Sequence, residues 1–176
     1  VMELEDLVDV FENLGHEVEE ARILEPEFSG VVVGRVLDVQ PHPNADKVRL
    51  TRVDVGDDEL DIICGAWNFE AGALVPVAVP GAMLGEDFEI TRREIRGVTS
   101  NGMICSETEL DLGEDADGIM VLNDDYPESN DRIGEPFESL LDLPDLYLEV
   151  NVTPHRPDCL SVYGLARDLA ALFEVE

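Results

Sequence analysis

Two stretches of the chain combine cationic, amide and hydroxyl side chains in a pattern suited to binding RNA. In residues 40–50 a proline-rich turn leads into a β-rich run, and in residues 91–106 three arginines precede a Gly-Val-Thr-Ser-Asn-Gly turn. Alternate residues of a strand face the same side, so each stretch could present its polar groups together. Arginine and lysine bind phosphates, whereas amides and hydroxyls reach bases and sugars. The cationic candidates are Lys47, Arg49, Arg92, Arg93 and Arg96.

The sequence contains no motif for a common catalytic or metal site. It has no phosphate-binding GxxxxGK[ST] loop, no HExxH and no GxSxG. The three histidines lack metal-ligand spacing, and Cys64, Cys105 and Cys159 are far apart in the chain. We therefore predict no catalytic residue and no metal ligand, and we expect three unpaired, buried thiols.

The overall charge opposes strong electrostatic binding to a nucleic acid. Against 41 Asp and Glu the chain has only 11 Lys and Arg, a net charge of −30. Autonomous binders of phosphate backbones are basic, so the composition excludes that class. Seven of the 11 cations nevertheless lie within residues 29–100, so a small basic surface patch is compatible with the acidic composition. Alternatively, these cations only pair with the surrounding carboxylates. A strongly acidic surface is also compatible with a salt-adapted host.

The two ends of the chain carry helical and strand patterns. Apolar residues at helical spacing predict a helix over residues 4–14 with Gly15 as its C-terminal cap, followed by a strand over 17–24. Alternation predicts a strand over 146–152, and a second helix follows, capped by Ser161 or Asp158. Neither end closes a core alone. We therefore predict one small discontinuous α/β domain from residues 1–28 and 146–176.

The middle of the chain, residues 29–145, is predicted to be mainly β. Short β-rich runs alternate with turn residues, which is typical of a small closed or partly open barrel, and an oligonucleotide-binding (OB) fold fits the size. This domain would be inserted into the α/β domain. No apolar run approaches the roughly 18 residues of a membrane span, so a soluble protein is expected. The β-rich runs are 31–39, 48–55, 60–64, 74–79, 88–95, 103–105 and 119–122.

Several motifs resemble those of the EMAP-II-type tRNA-binding domain, which has an OB fold. The motifs are HPNADKVRL, ICGAWN, VPVAVPGAML and IRGVTSNGMICSETELDL. The flanking segments LVDVFENLGHEVEEARIL and LYLEVNVTPHRPDCLSVYGLARDLAALF resemble those on either side of that domain in β subunits of bacterial phenylalanine–tRNA ligases. The resemblance covers essentially the whole chain. It implies the N-terminal portion of such a subunit without its extreme N-terminus.

This resemblance implies a role in the ATP-dependent attachment of phenylalanine to tRNA in the cytoplasm. The implied partners are tRNA(Phe) and the α subunit of an α2β2 enzyme. In the family the α subunit contains the aminoacylation site, and the editing site lies downstream in the β subunit. No catalytic site is therefore expected in these residues. ATP and magnesium belong to the whole enzyme, so no cofactor is assigned to this chain.

The family motif also implies which residues contact RNA. The positions it implies are Asn44, Lys47, Asn68, Ser100, Asn101, Met103 and Ser106, with the four arginines above as cationic neighbours. We expect Met103 and Trp67 to belong to the core rather than to a base-stacking surface. A second polar cluster, formed by Asn151, His155, Arg156 and Asp158, either stabilises its own turn or contacts another subunit or the editing module.

Two alternatives to this function remain open from the sequence. The middle domain could be a protein-interaction or scaffold module with little affinity for RNA. The chain could also be a freestanding EMAP-II-type tRNA-binding protein, although such proteins would not explain both flanks.

Overall fold

The structure, a computed structural model, describes residues 3–141 and 143–173, and these are mainly β with two helices. The chain divides into two compact units, one from the residues up to 25 and from 144 onward, the other from residues 26–143. Residues 1, 2, 142 and 174–176, which the predicted domains include, lie outside the described residues. No helix in the described part of the chain is long and apolar enough to span a membrane.

The helices and strands are numbered in chain order, and short 3₁₀ turns connect the later ones. They are α1 (Leu4–Asn13), β1 (Glu17–Leu24), β2 (Phe28–His42), β3 (Ala45–Asp54), β4 (Glu59–Cys64), β5 (Leu74–Leu84), β6 (Phe88–Glu89), β7 (Arg93–Ile95), β8 (Val98–Ser100), β9 (Met103–Ile104), β10 (Asp145–Asn151) and α2 (Val162–Phe173).

The unit built from the two ends pairs β1 antiparallel with β10. Helix α1 ends in a turn where the His16 N–H donates to the Phe11 carbonyl, and Gly15 adopts φ +86°, a conformation that favours glycine. Helix α2 begins where the Ser161 hydroxyl accepts from the Gly164 N–H at 3.2 Å. The predicted helices, strands and caps of this region are thus confirmed, with Ser161 rather than Asp158 as the cap.

The other unit is organised around one antiparallel sheet with the order β4-β3-β2-β5-β6, and β9 also pairs with β5. Strands β7 and β8 form a separate hairpin. Within the described residues the ladder does not close on itself, so the prediction of a closed barrel is wrong. The run over 88–95 is interrupted because its two ends pair in different sheets, and the run over 119–122 forms no strand.

Residues 74–78 of β5 are buried on both faces, and this divides the core into two clusters. Val75 and Val77 belong to a cluster with Val53 of β3 and Ile62 of β4. Leu74 and Ala78, one residue out of phase, belong to the other cluster, since successive strand residues face opposite sides. Residues that follow β9 in the chain complete the second cluster. Its further members include Leu110, Leu122, Phe137 and Leu140.

Candidate nucleic-acid interface

The tip of the β7–β8 hairpin is attached to the turn between β2 and β3. Arg96 and Gly97 both have positive φ, as a two-residue hairpin turn requires. The Asn44 side-chain amide donates to the Arg96 carbonyl at 3.1 Å. His42 accepts from the Asn44 N–H through Nδ1 at 3.1 Å, so its Nε2 carries the proton and donates to the Ile95 carbonyl at 3.3 Å. Two short turns are thereby held together.

Four exposed cations lie close in sequence to these joined turns. Lys47, Arg92 and Arg96 form no ion pair with any described residue, and the Arg93 guanidinium lies over the Phe88 ring at 5.7 Å. The alternative that cations only pair with nearby carboxylates holds elsewhere on the sheet, where Arg52 lies 3.3 Å from Asp61. We call Lys47, Arg92, Arg93 and Arg96 the basic turns. Arg96 lies in the turn itself, so it does not share a strand face with Arg92 as the alternation predicts.

Arg49 does not join the basic turns, because it is only 5% exposed and its donors are used inside the protein. Its guanidinium donates to the Ala66 carbonyl at 3.0 and 3.2 Å and to the Phe69 carbonyl at 3.0 Å. It lies over the Phe69 ring at 4.4 Å and over the Trp67 ring at 4.9 Å. Strand alternation predicts that Arg49 shares a strand face with Lys47. Hydrogen bonds to carbonyls of a later loop instead hold the Arg49 guanidinium inside the protein.

Asn68 and Ser100 also have partners within the chain. The Asn68 amide donates to the Ile119 carbonyl at 2.8 Å and accepts from the Ile119 N–H at 3.1 Å. The Ser100 hydroxyl accepts from the Ile63 N–H and donates to the Gly102 carbonyl, both at 3.0 Å. The structure thus places both side chains as links between segments of the fold.

The remaining motif residues lie near the end of β9. The Ser106 hydroxyl donates to the Glu109 carboxylate at 2.8 Å, and the Ser106 N–H donates to the same group. The Asn101 N–H donates to the Asp61 carbonyl at 2.9 Å. Met103 is half-buried against the core. None of these three hydrogen bonds needs a nucleic acid as a partner.

Trp67 is 61% exposed, so the prediction that it belongs to the core is wrong. It lies in the loop of residues 65–70, after β4, and Phe69 two positions later takes the buried place. A loop has no strand alternation, so its two aromatic side chains can point in different directions. The position of Trp67 among Gly, Ala and Asn was the available sequence signal, because such residues mark loops.

An open groove of about 590 Å³ borders the loop that contains Trp67. Its walls include Ile63, Cys64, Met103, Glu109 and Asp117, and none of its described lining residues is cationic. Burial raises the pKa of the Cys64 thiol, which therefore stays protonated. The charge of the groove comes only from carboxylates. Bound phosphate is therefore disfavoured there.

A separate polar cluster lies in the unit formed by the chain ends. Arg156 donates to both oxygens of Asp158 at 3.2 Å and also to the Asp168 carboxylate. These hydrogen bonds lower the pKa of Asp158 to about 2 and lower the pKa of Asp168. Arg156 thus binds charged side chains, one of them Asp158 of its own turn.

The same cluster brings three possible metal ligands together. Ligand atoms of His16, Cys159 and Asp168 lie within 4.8 Å of one another. The Arg156 guanidinium already approaches the Cys159 sulfur to 2.9 Å and binds Asp168, so a cation would have to displace it. The other two candidates for subunit contact are exposed. Asn151 donates to Glu17 at 3.0 Å, and His155 lies 3.5 Å from the Thr153 hydroxyl.

Comparison with known proteins assigns this chain to a family. Phenylalanine–tRNA ligase β subunits are 46% identical in Hahella chejuensis over 97% of this chain, 45% in Syntrophus aciditrophicus over 90%, and 47% in Neisseria meningitidis over 90%. The chain spans about a fifth of the length of these relatives, between 19 and 21%. The solved C-terminal domain of Plasmodium vivax p43 is 26% identical, with a TM-score of 0.35 over 42% of this chain and 43% of that one. A family model described as "Putative tRNA binding domain" matches residues 31–131, and the chain belongs to that family.

Proposed function

We propose that this chain is a tRNA-binding and assembly part of a phenylalanine–tRNA ligase β subunit. In this proposal residues 29–145 form a tRNA-binding domain of the OB type, inserted between residues 1–28 and 146–176. The observation that carries the proposal is the group of basic turns. In a chain of net charge −30, all four of their cations are exposed without a carboxylate partner in the described structure.

The proposed RNA partner is tRNA(Phe), and the proposed protein partner is an α subunit. The chain itself contributes binding rather than catalysis, so ATP and magnesium would act elsewhere in the assembled enzyme. We place this enzyme in the cytoplasm, where tRNA is charged for protein synthesis. Among the predicted RNA contacts, the basic turns are the best placed to meet phosphates, because phosphate contacts need exposed cationic donors.

A role in protein assembly is also supported by a specific observation. In the unit formed by the chain ends, Leu160, Val162 and Tyr163 are each more than 70% exposed. Adjacent exposed apolar side chains are typical of a surface that contacts protein. We therefore include assembly in the proposed function, next to RNA binding by the other unit. Asn151 and His155 would lie at the edge of such a contact.

A titration of this chain with tRNA(Phe) at several salt concentrations tests the RNA-binding proposal. We expect weak binding that declines with salt, because each phosphate contact releases counterions. Arg92→Ala plus Arg96→Ala should weaken binding and reduce the salt slope by about 1 for each cation removed. The matched control is Arg22→Ala plus Arg52→Ala, which removes two cations that already pair with carboxylates. Absence of binding at low salt by the folded chain would overturn the proposal.

A further inference from the structure

We propose that Trp67 is a stacking platform for an unpaired base of the bound RNA. This inference rests on the proposed function, tRNA binding, and adds a second contact to it beside the basic turns. One face of the Trp67 ring is covered by the Arg49 guanidinium, whose central carbon lies 4.9 Å from the ring centroid. Because 61% of the residue is still exposed, the opposite face is open. A base on that face would complete a stack of base, indole and guanidinium.

The loop that presents Trp67 is held rigidly from both sides. Arg49 binds the carbonyls of Ala66 and Phe69, the residues on either side of Trp67 and Asn68. Asn68 itself makes two hydrogen bonds to Ile119. The loop is therefore ordered before a ligand arrives, and little conformational entropy is lost when a base stacks. A large aromatic side chain exposed on an immobilised loop is the arrangement that single-stranded RNA binders use.

The charges around Trp67 favour a base over a phosphate as its ligand. Arg49 is the cation in contact with the ring, and its donors point to backbone carbonyls and toward Glu70, 3.6 Å away. Glu109 and Asp117 line the neighbouring groove. These carboxylates repel phosphate within about 8 Å at physiological salt. A base is neutral, and its stacking energy does not depend on neutralising phosphate, so the acidic surroundings do not prevent the contact.

The site therefore takes unpaired nucleotides and leaves duplex RNA unbound, since the bases of a duplex are already stacked. The groove beside the loop disfavours phosphate, so only the base of a neighbouring nucleotide would contact its wall. Its wall includes Met103 and Ile63, which offer apolar surface, and the Ser106 segment, which offers polar groups. Sequence selection at this site should be weak, because every base has a face that stacks.

Fluorescence tests the inference directly, because Trp67 is the single tryptophan of the chain. We expect an unstructured oligonucleotide of about 6 nucleotides, within the usual site size, to quench the emission in a saturable manner. An abasic strand of equal length and charge should not quench it. Intact tRNA(Phe) should quench it as well. Equal quenching by the abasic strand, or no quenching by tRNA that binds, would overturn the inference.

Variants separate the platform from the basic turns. Trp67→Ala should weaken tRNA(Phe) binding by roughly 5- to 150-fold, the usual effect of losing one stacked base. The salt slope should not change, because stacking releases no counterions. Trp67→Phe, which keeps a ring and guards against a folding defect, should retain most of the affinity. The matched control is Phe173→Ala, an exposed aromatic of the other unit, which should bind normally.

The outcomes distinguish this inference from the proposed function. If Trp67→Ala binds tRNA(Phe) as tightly as the unaltered chain, while Arg92→Ala plus Arg96→Ala weakens binding, the platform is overturned and the proposed function stands. If the unaltered chain does not bind tRNA at low salt, the proposed function is overturned and the platform with it.

Discussion

The side-chain amide of Asn68 forms two hydrogen bonds with one residue, Ile119, by donating to its carbonyl and accepting from its N–H. The backbone of Ile119 is thereby paired with a side chain instead of a strand. This pair joins the loop after β4 to the irregular segment that covers the sheet. Gly118 is adjacent, and a Cβ at that position would collide with the Asn68 side chain. The pair therefore depends on a glycine at position 118 and on an amide side chain at position 68.

Asn68→Ala should lower the free energy of unfolding by about 1–3 kcal/mol, because it removes both bonds and leaves the Ile119 peptide groups without partners. Urea denaturation of the two proteins measures the difference. Asn101→Ala is the control, since its side-chain amide makes a single long contact of 3.5 Å with the Asp61 carbonyl. A loss of stability as large for Asn101→Ala as for Asn68→Ala would contradict this account.

Arg49→Lys should destabilise the chain by about 2 kcal/mol although the charge is kept. Lysine has no planar fork, so it cannot bind the Ala66 and Phe69 carbonyls together while lying flat on two rings. The same exchange at Arg52, which is exposed and pairs with Asp61 and Glu59, should change stability by less than about 0.5 kcal/mol. Chemical denaturation of both variants gives the comparison. Equal effects would show that the guanidinium geometry at Arg49 does not matter.

Gly34→Ala should destabilise the sheet, because two valine side chains of other strands pack directly against the β2 backbone at this residue. An added Cβ would lie 2.6 Å from Val77 Cγ2 and 2.9 Å from Val53 Cγ1, and both valines are buried. Overpacking of this kind usually costs about 1–3 kcal/mol. Gly65→Ala, where the added Cβ meets nothing within 4 Å, serves as the control. Thermal unfolding measures both, and an unchanged melting temperature for Gly34→Ala would exclude the close approach.

Acid should weaken the unit formed by the chain ends through the Arg156 cluster. Hydrogen bonds from Arg156 lower the folded-state pKa of Asp158 from 3.8 to about 2 and also lower the pKa of Asp168. A depressed pKa contributes stability that is fully present above the unfolded value, and this is lost as the pH falls toward 2. Arg156→Gln should therefore be less stable than the unaltered chain at pH 5, with a smaller difference between them at pH 2.

Arg22→Gln is the control in the same unit, since Arg22 pairs with the exposed Glu20. Its stability relative to the unaltered chain should change little between pH 5 and pH 2. If the free energies of unfolding of Arg156→Gln and the unaltered chain differ by the same amount at pH 5 and pH 2, the proposed pH dependence is refuted.

The sequence predicts best those elements whose signals are local. Helix α1 and its Gly15 cap follow from helical spacing and from one glycine, and strand β1 follows from its composition and the turn residues around it. The cap at Ser161 is equally local. Each of these depends on contacts within a few residues, and each agrees with the structure.

Features that depend on residues distant in the sequence could not be predicted from such local signals. Arg49 is buried because carbonyls 17 and 20 residues later receive its donors. Trp67 is exposed because Phe69 takes the core position, and no periodicity in a loop reveals which ring is inside. The open ladder likewise depends on which strands pair across the sheet. The site residues with internal partners, Asn68 and Ser100, belong to the same class.

Residues 74–78 of β5 have both faces covered, and the strand is hydrogen-bonded to β2 on one edge and to β6 and β9 on the other. Its amides can therefore reach solvent only when the surrounding unit opens as a whole. The two-stranded sheet of β1 and β10 has no such protection, and its amides can exchange through smaller local openings. We therefore expect the amides of β5 to exchange more slowly than those of β1 and β10.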